Sequence, residues 1–281
     1  MTTTASHQGA PTKTIDVGGT AFAYRDLGPR SGTPVIFLNH LAAVLDNWDP
    51  RVVDGIASQR RVITFDNRGV GASAGRTPSS IAEMANDTVA FIRALGLDKV
   101  DLLGFSMGGF VAQVIAAEHP ALVRKVILAG TGPAGGTGID RVTRLTLLDM
   151  VKGAATFRDA KYYLFFTDSA NSRLAARAFL DRLKERQENR DKAISVAAFR
   201  AHLKAIHGWG VQQPTDLSRI PQAVFVANGD HDRMVPSENS TDLARRLPNA
   251  QLTIYPDAGH GGIFQHHTSF VPEALDFLAA A

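Results

Sequence analysis

The sequence predicts an α/β protein with a mostly parallel, buried sheet and helices on both of its faces. Short runs of β-branched residues alternate with longer segments of helical periodicity, which is the pattern of strand–helix–strand units. The alternation breaks after Gly130 and resumes at Ala223, with helical patterns only in between. We therefore expect one α/β domain that is interrupted by a helical insert.

The first half of the chain contains five predicted strands and two predicted helices. The strands are Thr20 to Tyr24, Pro34 to Leu38, Arg61 to Phe65, Val100 to Phe105 and Lys125 to Ala129. One helix covers residues 79–95, where Ser80 and Glu83 form a capping-box pattern. The other covers residues 109–118 and is ended by Pro120, which cannot continue a helix.

The second half contains the insert and the end of the sheet. Helical patterns in the insert cover residues 142–152, 175–184 and 193–209. After it come a strand at 223–227, a helix at 239–247, a strand at 251–255 and a helix at 268–278. We place the core at residues 12–137 and 214–281, the insert at residues 138–213 and a flexible tail at residues 1–11. An insert that leaves and rejoins a sheet at strand ends can cover the cleft where such sheets bind ligands.

Composition excludes several classes of function. The 281 residues are 44% hydrophobic, and 30 basic against 27 acidic residues give a net charge of +3, too little to indicate nucleic acid binding. The absence of cysteine excludes disulfides and thiolate chemistry. No apolar run approaches the roughly 20 residues that span a bilayer, and the N-terminus does not resemble a signal peptide. We expect a cytoplasmic protein that acts on a small molecule and binds neither nucleic acid nor membrane.

The most charged stretch of the chain, residues 182–192, alternates in sign. Such a pattern is typical of a solvated helix face. Two histidines of the insert, His202 and His207, have no motif around them and are predicted to be packing or surface groups.

A serine stands between glycines at the predicted junction of a strand and a helix. Ser106 lies within Gly104-Phe-Ser-Met-Gly108, and a residue at such a junction is forced into a strained turn that needs small neighbours. The turn exposes the hydroxyl and directs the N–H of Met107 to the helix N-terminus, where anions are stabilised. Ser106 is either a nucleophile or part of an ordinary glycine-rich turn.

A nucleophilic serine needs a base and an orienting acid, which in this architecture follow in the order acid, then histidine. His260 lies in a glycine-flanked loop after the strand at 251–255, and we favour it over an exposed loop role. Asp232 and Asp230 compete for the acid after the strand at 223–227, and we favour Asp232, whose alternative partner is Arg233. The three signals arrive in the required order at strand ends, which predicts a catalytic triad.

Four motifs of the chain resemble those of the α/β-hydrolase superfamily. They are the GFSMGG turn, the segment Asp66-Asn-Arg-Gly-Val-Gly-Ala-Ser73, the loop Gly229-Asp-His-Asp-Arg-Met-Val-Pro236 and the pair Gly259-His260. The resemblance covers nearly the whole chain outside the tail. It implies eight strands, the triad Ser106–Asp232–His260, a helical cap in place of the insert, and neither a cofactor nor a metal.

One segment departs from the superfamily pattern. Residues 39–42 read Asn-His-Leu-Ala where His-Gly-x is usual, and they are closer to the Asn-Ser-Leu-Gly of the β-ketoadipate enol-lactonases. By position, the resemblance implies that the backbone N–H groups of Leu41 and Met107 form the oxyanion hole. His40 replaces the usual glycine and either contacts substrate or packs locally.

The resemblance implies a serine hydrolase that cleaves a small to medium carboxylic ester or lactone. A C–C bond hydrolase and a cofactor-free perhydrolase use the same triad and stay open, as does a ligand receptor built on this fold. Aromatic residues of the insert form either the core of the cap or a wall of the pocket, and they are Tyr162, Tyr163, Phe165, Phe166 and Trp209. We expect Phe165 and Trp209, together with His40, to line the substrate pocket.

Overall fold

The computed structural model describes residues 6–280, which form an eight-stranded sheet flanked by helices. The strands are β1 (Lys13–Val17), β2 (Thr20–Leu27), β3 (Val35–Leu38), β4 (Val62–Phe65), β5 (Val100–Phe105), β6 (Val123–Ala129), β7 (Ala223–Gly229) and β8 (Ala250–Tyr255). Their order in the sheet is β1-β2-β4-β3-β5-β6-β7-β8. Strand β2 is antiparallel to both of its neighbours, β1 and β4. The six strands from β4 to β8 in the sheet order pair in parallel. The predicted fold class is confirmed.

Ten α-helices accompany the sheet in the described residues. They are α1 (Pro50–Ala57), α2 (Ile81–Ala94), α3 (Met107–Glu118), α4 (Val142–Ala155), α5 (Lys161–Leu164), α6 (Ala170–Arg182), α7 (Val196–Val211), α8 (Glu238–Arg246), α9 (Gly262–Gln265) and α10 (His267–Ala279). Ser80 caps α2 as its pattern predicts, because its hydroxyl accepts the Glu83 N–H at 3.3 Å. Within residues 6–280, no helix is both long and apolar enough to cross a membrane.

The central strands explain why the predicted site residues share one edge. Strands β3, β4 and β5 are fully buried along their length, since their apolar side chains face helices on both sides. The loops after β3, β5, β7 and β8 carry the predicted oxyanion loop, the serine, the acid and the histidine. Because these four strands are parallel, the loops converge at the carboxyl edge of the sheet, where α/β sheets bind ligands.

The insert connects β6 to β7. Residues 138–213, all of them described, contain α4 to α7 and a short 3-10 turn as their regular elements. Three of these helices match the predicted patterns, while α5 has only four residues and carries no readable period. Helix α6 begins at Ala170, five residues before the predicted start, because Ser169 caps it.

The N-terminal segment contradicts the prediction of a flexible tail where the structure describes it. Residues 1–5 lie outside the described residues, but His7 is only 4% exposed and Ala10 is fully buried. The Arg186 guanidinium donates to the carbonyls of His7, Gln8 and Ala10 at 3.3, 2.7 and 2.9 Å. A cation of the insert therefore fixes this segment to the body of the protein.

The same cation shows that the charged stretch at 182–192 is not a solvated helix face. Helix α6 ends at Arg182, whose guanidinium pairs with the buried Asp49 at 2.6 Å. Arg186 is only 8% exposed. These cations are directed inward, because Asp49 and the carbonyls of the N-terminal segment offer them acceptors away from water.

Candidate active site

Ser106 lies on a sharp turn between β5 and α3. Its φ of 56° and ψ of −119° are strained for a residue with a side chain. A Cβ on Gly104 would lie 2.4 Å from the Gly108 carbonyl oxygen, and a Cβ on Gly108 would lie 2.0 Å from that of Leu38. The steric reason predicted for both glycines is therefore confirmed.

Two hydrogen bonds hold the turn in this strained shape. The Ser106 N–H donates to the Ala129 carbonyl at 2.9 Å, and the Thr131 hydroxyl donates to the Ser106 carbonyl at 2.9 Å. Sequence reasoning missed Thr131, although its place just after β6 puts it at the same sheet edge. Both polar atoms of the serine backbone are thus paired, as buried backbone groups require.

His260 and Asp232 form a buried pair beside this turn. The histidine Nδ1 lies 2.7 Å from the Asp232 Oδ2, and both side chains are almost inaccessible to solvent. The other carboxylate oxygen accepts the N–H groups of Met234 and Val235 at 2.8 and 3.0 Å. Because a carboxylate only accepts, Nδ1 of His260 must carry the proton, which leaves Nε2 as an acceptor. Within the described residues Nε2 has no hydrogen-bond partner.

The competing acid has a different role in the structure. Asp230 accepts the backbone N–H groups of Asp257 and Ala258 at 3.1 and 3.0 Å, so it braces the loop that carries His260. Arg233 does not pair with Asp232; its guanidinium lies 2.6 Å from Asp149 of α4. Of the two aspartates, Asp232 alone contacts His260, as the sequence-based preference requires.

The predicted oxyanion loop follows β3. The Asn39 amide donates to the Phe65 carbonyl at 2.7 Å and accepts the Trp48 indole N–H at 2.6 Å, so the start of the loop is anchored on both sides. No group within residues 6–280 accepts the backbone N–H of Leu41 or of Met107. The assignment of these two donors to an oxyanion stays a prediction, and their unpaired state is what that role needs.

Two histidines contact the same loop, and both are buried. The Nδ1 of His40 lies 2.9 Å from the Leu41 carbonyl, while Nδ1 of His202, on α7, lies 3.2 Å from the Ala42 N–H. Burial lowers the pKa of His40 to about 3, and the nearby positive charge of Lys161 adds to this effect. Burial alone lowers the pKa of His202 to about 4. Both rings are therefore neutral at neutral pH.

A cavity of about 320 Å³ opens at this edge, between the sheet and the insert. Its lining includes Ser106, His260, His40 and Leu41 from the core. The insert contributes mainly apolar side chains, together with Thr146, Ser195 and the Asp159–Lys161 pair. The apolar residues that the insert contributes to the lining are Met150, Ala160, Leu164, Phe165, Ile194, Val196 and Phe199.

The aromatic residues of the insert divide between cavity and core. Phe165 lines the cavity, and its ring centroid lies 5.2 Å from that of His40 and 5.4 Å from that of His260. The prediction that Trp209 lines the pocket is wrong. Its indole stacks on Phe110 at 5.3 Å and donates to the Gly132 carbonyl at 3.3 Å, so it joins the insert to α3.

No group of three or more histidine or acidic side chains in the described part of the chain is arranged to hold a metal ion. The core side of the cavity carries the elbow serine, His260 with Asp232 behind it, and the loop after β3. This arrangement can deprotonate a hydroxyl and stabilise a negative oxygen, which is the chemistry of acyl transfer.

Known proteins of similar sequence carry several names. A putative carbamate hydrolase, RutD, of Caulobacter sp. (strain K31) is 30% identical over 261 residues, which covers 90% of this chain and 93% of that protein. A non-heme chloroperoxidase of Streptomyces lividans is 29% identical over 276 residues, covering 92% of this chain and 96% of that protein. The two names indicate different reactions.

Solved structures agree with the sequence comparisons. An alpha/beta hydrolase fold protein from Chitinophaga pinensis is 40% identical with a TM-score of 0.92, covering 98% of this chain and 100% of that one. The enol-lactonase of Burkholderia xenovorans LB400 has a TM-score of 0.78 at 21% identity, with 95% and 100% of the two chains covered, and is similar in fold alone. Residues 33–267 match the family model of the alpha/beta hydrolase fold. The predicted resemblance is confirmed, and the chain belongs to the α/β-hydrolase fold family.

Proposed function

We propose that the protein is a serine hydrolase that cleaves small to medium carboxylic esters or lactones through an acyl-enzyme. One observation carries the proposal. The strained Ser106 and His260 border the same cavity, and the contact of His260 Nδ1 with the buried Asp232 leaves Nε2 as an unpartnered acceptor. A serine hydroxyl becomes a nucleophile when such an acceptor takes its proton.

In the first half of the reaction, His260 Nε2 takes the hydroxyl proton while Ser106 Oγ bonds to the carbonyl carbon of the substrate. The carbonyl electron pair moves onto oxygen, where the N–H groups of Leu41 and Met107 stabilise it; one such donor contributes about 3 kcal/mol. When this tetrahedral state collapses, the ester C–O bond breaks. The leaving oxygen takes the proton from His260.

In the second half, water replaces the alcohol. His260 Nε2 takes a proton from water while the water oxygen bonds to the carbonyl carbon of the acyl-enzyme. The bond between that carbon and Ser106 Oγ then breaks, and His260 returns the proton to Oγ. Asp232 holds the ring tautomer through both halves without being protonated. The enzyme returns to its starting protonation state. The products are a carboxylic acid and an alcohol, or a hydroxy acid when the substrate is a lactone.

The size and polarity of the cavity support the substrate class. A volume of about 320 Å³ lies at the lower end of ligand pockets, which fits a small to medium substrate. Its insert wall is mainly apolar, so burial of a hydrocarbon acyl or alkoxy group would supply binding energy.

The test is a panel of p-nitrophenyl esters of increasing chain length and of lactones, run on the wild type and on Ser106→Ala. We expect a burst of p-nitrophenol from the wild type, since acylation releases it before deacylation, and no burst from the variant. Ser218→Ala is the matched control, because this serine is exposed and its hydroxyl contacts only Asp216, away from the cavity. Ester hydrolysis that persists in Ser106→Ala would refute the proposal.

Two relatives, a putative carbamate hydrolase and a non-heme chloroperoxidase, favour two variants of this reaction: a carbamate as the acyl donor, and hydrogen peroxide as the acyl acceptor. A carbamate would form a carbamoyl-enzyme, and hydrogen peroxide in place of water would convert the acyl-enzyme to a peracid. Both reactions need Ser106, so the same variant serves as their control. Comparing release rates for carbamate and ester substrates with and without peroxide would rank the three activities.

A further inference from the structure

A single peptide unit of the oxyanion loop is held at both of its polar ends by histidines. The unit joins Leu41 to Ala42. Its carbonyl oxygen lies 2.9 Å from Nδ1 of His40, and its N–H lies 3.2 Å from Nδ1 of His202. His40 belongs to the loop itself, whereas His202 lies on α7 of the insert, 160 residues away in sequence.

The two contacts require opposite tautomers of the two rings. A carbonyl oxygen only accepts, so Nδ1 of His40 must carry a proton and donate it. A backbone N–H only donates, so Nδ1 of His202 must lack a proton and accept. Both rings are buried, with 3% of His40 and none of His202 exposed, so water does not compete for either contact. The His202 contact therefore requires a neutral ring with Nδ1 unprotonated, whereas the His40 contact requires only that Nδ1 carries a proton.

The backbone at this position needs such support. Ala42 has a φ of 61°, in the left-handed region that side chains disfavour, and the Ala43 N–H closes the turn onto the His40 carbonyl at 3.2 Å. A glycine would adopt this conformation without strain, but the chain has alanine there. Without the two imidazoles, the peptide unit between Leu41 and Ala42 would have no partner among the described residues for either polar group.

We propose that His40 and His202 are positioning residues that hold the Leu41–Ala42 peptide, and thereby the Leu41 N–H, in the geometry that an oxyanion requires. This inference rests on the proposed function. Since His202 is supplied by α7, the oxyanion loop is complete only when that helix is seated on the core. Val196 and Phe199 of the same helix line the cavity, so a substrate that contacts them also bears on the loop.

An unpaired atom on each ring indicates that packing alone does not explain these residues. The Nε2 atoms of His40 and His202 are buried and have no hydrogen-bond partner in residues 6–280. An apolar side chain would fill either place without burying an unpaired nitrogen. The nitrogen that is paired, in each case, is the one that contacts the loop.

The first experiment compares His202→Leu, His202→Asn and His207→Leu in ester hydrolysis. Leucine removes the acceptor, and we expect kcat to fall on the order of 10- to 100-fold with little change in KM, because a donor displaced by a fraction of an ångström loses transition-state stabilisation. Asparagine can place its Oδ1 where Nδ1 was, so it should restore much of the loss. His207 lies exposed on the same helix and is the matched control.

The second experiment does not depend on activity. The second readout is the NMR spectrum of protein with ¹⁵N-labelled histidine. The His202 Nδ1 should resonate as an unprotonated nitrogen and the His40 Nδ1 as a protonated one. Each peak is assigned by its loss in a variant that lacks that histidine. A wild-type kcat in folded His202→Leu, or a protonated Nδ1 in His202, would overturn the inference. Failure of the proposed function would appear separately, as wild-type protein without ester turnover but with both tautomers as expected.

Discussion

We predict that three buried histidines lower the stability of the protein in mild acid. Burial lowers the pKa of His7 to about 3, aided by the adjacent Arg25, that of His40 to about 3 and that of His202 to about 4. The ordinary value, which the unfolded chain has, is 6.5. Between pH 6.5 and about 4 these histidines are therefore protonated in the unfolded chain but not in the folded one. The contribution of these histidines to the free energy of unfolding therefore falls as the pH falls through this window.

The size of the effect follows from the pKa values. At pH 5 each of these histidines lowers the free energy of unfolding by about 2 kcal/mol, so the three together lower it by about 6 kcal/mol. That loss is comparable to the whole stability of an ordinary domain. Asp66 works in the opposite direction, because burial and the neighbouring Asp191 raise its pKa and favour the folded protein in acid. The comparison must therefore isolate one histidine.

Urea unfolding of the wild type and of His202→Asn, followed by circular dichroism between pH 7 and pH 5, makes that comparison. Contributions from carboxyl groups cancel in the difference between the two proteins. Below pH 6.5 the wild-type curve should be steeper by about 1.4 kcal/mol per pH unit, the value of one proton. Parallel curves for the two proteins would refute the argument that a neutral His202 is buried in the fold.

Four further substitutions have expected outcomes that the structure sets. Asp232→Asn should reduce kcat roughly 10⁴-fold, because an amide at this position favours the wrong tautomer of its partner, whereas Asp230→Asn, which loses one brace of the histidine loop but keeps the His260–Asp232 contact, should reduce kcat far less. Gly108→Ala places a Cβ 2.0 Å from a carbonyl oxygen and should lower the free energy of unfolding by about 3 kcal/mol or more, measured in urea. Arg186→Ala should release residues 7–10, so that limited proteolysis cleaves near the N-terminus at a rate the wild type does not show.

Much of the fold could be predicted because the central strands are buried on both faces and appear as short apolar runs. Strand β1 was missed because KTIDV is an edge strand with three exposed positions and pairs with β2 alone. Helices α5 and α9 have four residues each, too few to show a period. The order of the serine, acid and histidine could be predicted because each follows a strand that ends at the same edge.

The errors concern contacts between distant parts of the chain. Trp209 lies about 20 Å along α7 from Val196, since a helix rises about 1.5 Å per residue, so one end of the helix can border the cavity while the other packs on α3. The contact of Arg186 with the N-terminal segment spans more than 170 residues and leaves no local pattern. His202 has no motif around it either, and only its approach to Ala42 reveals a role.

The contact of Gly108 with Leu38 separates two properties of the molecule. Met107 lies one residue before Gly108, at the start of α3, and Leu41 lies three residues after Leu38, the last residue of β3. The spacing of their two N–H groups is therefore set by a contact between backbone atoms. The cavity wall, in contrast, consists mainly of side chains from the insert. Substitutions there can alter which substrates fit while the donor spacing is preserved. The range of substrates can therefore diverge through the insert wall, whereas a change at His40, which lines the cavity and contacts the Leu41 carbonyl, would alter both the wall and the donor geometry.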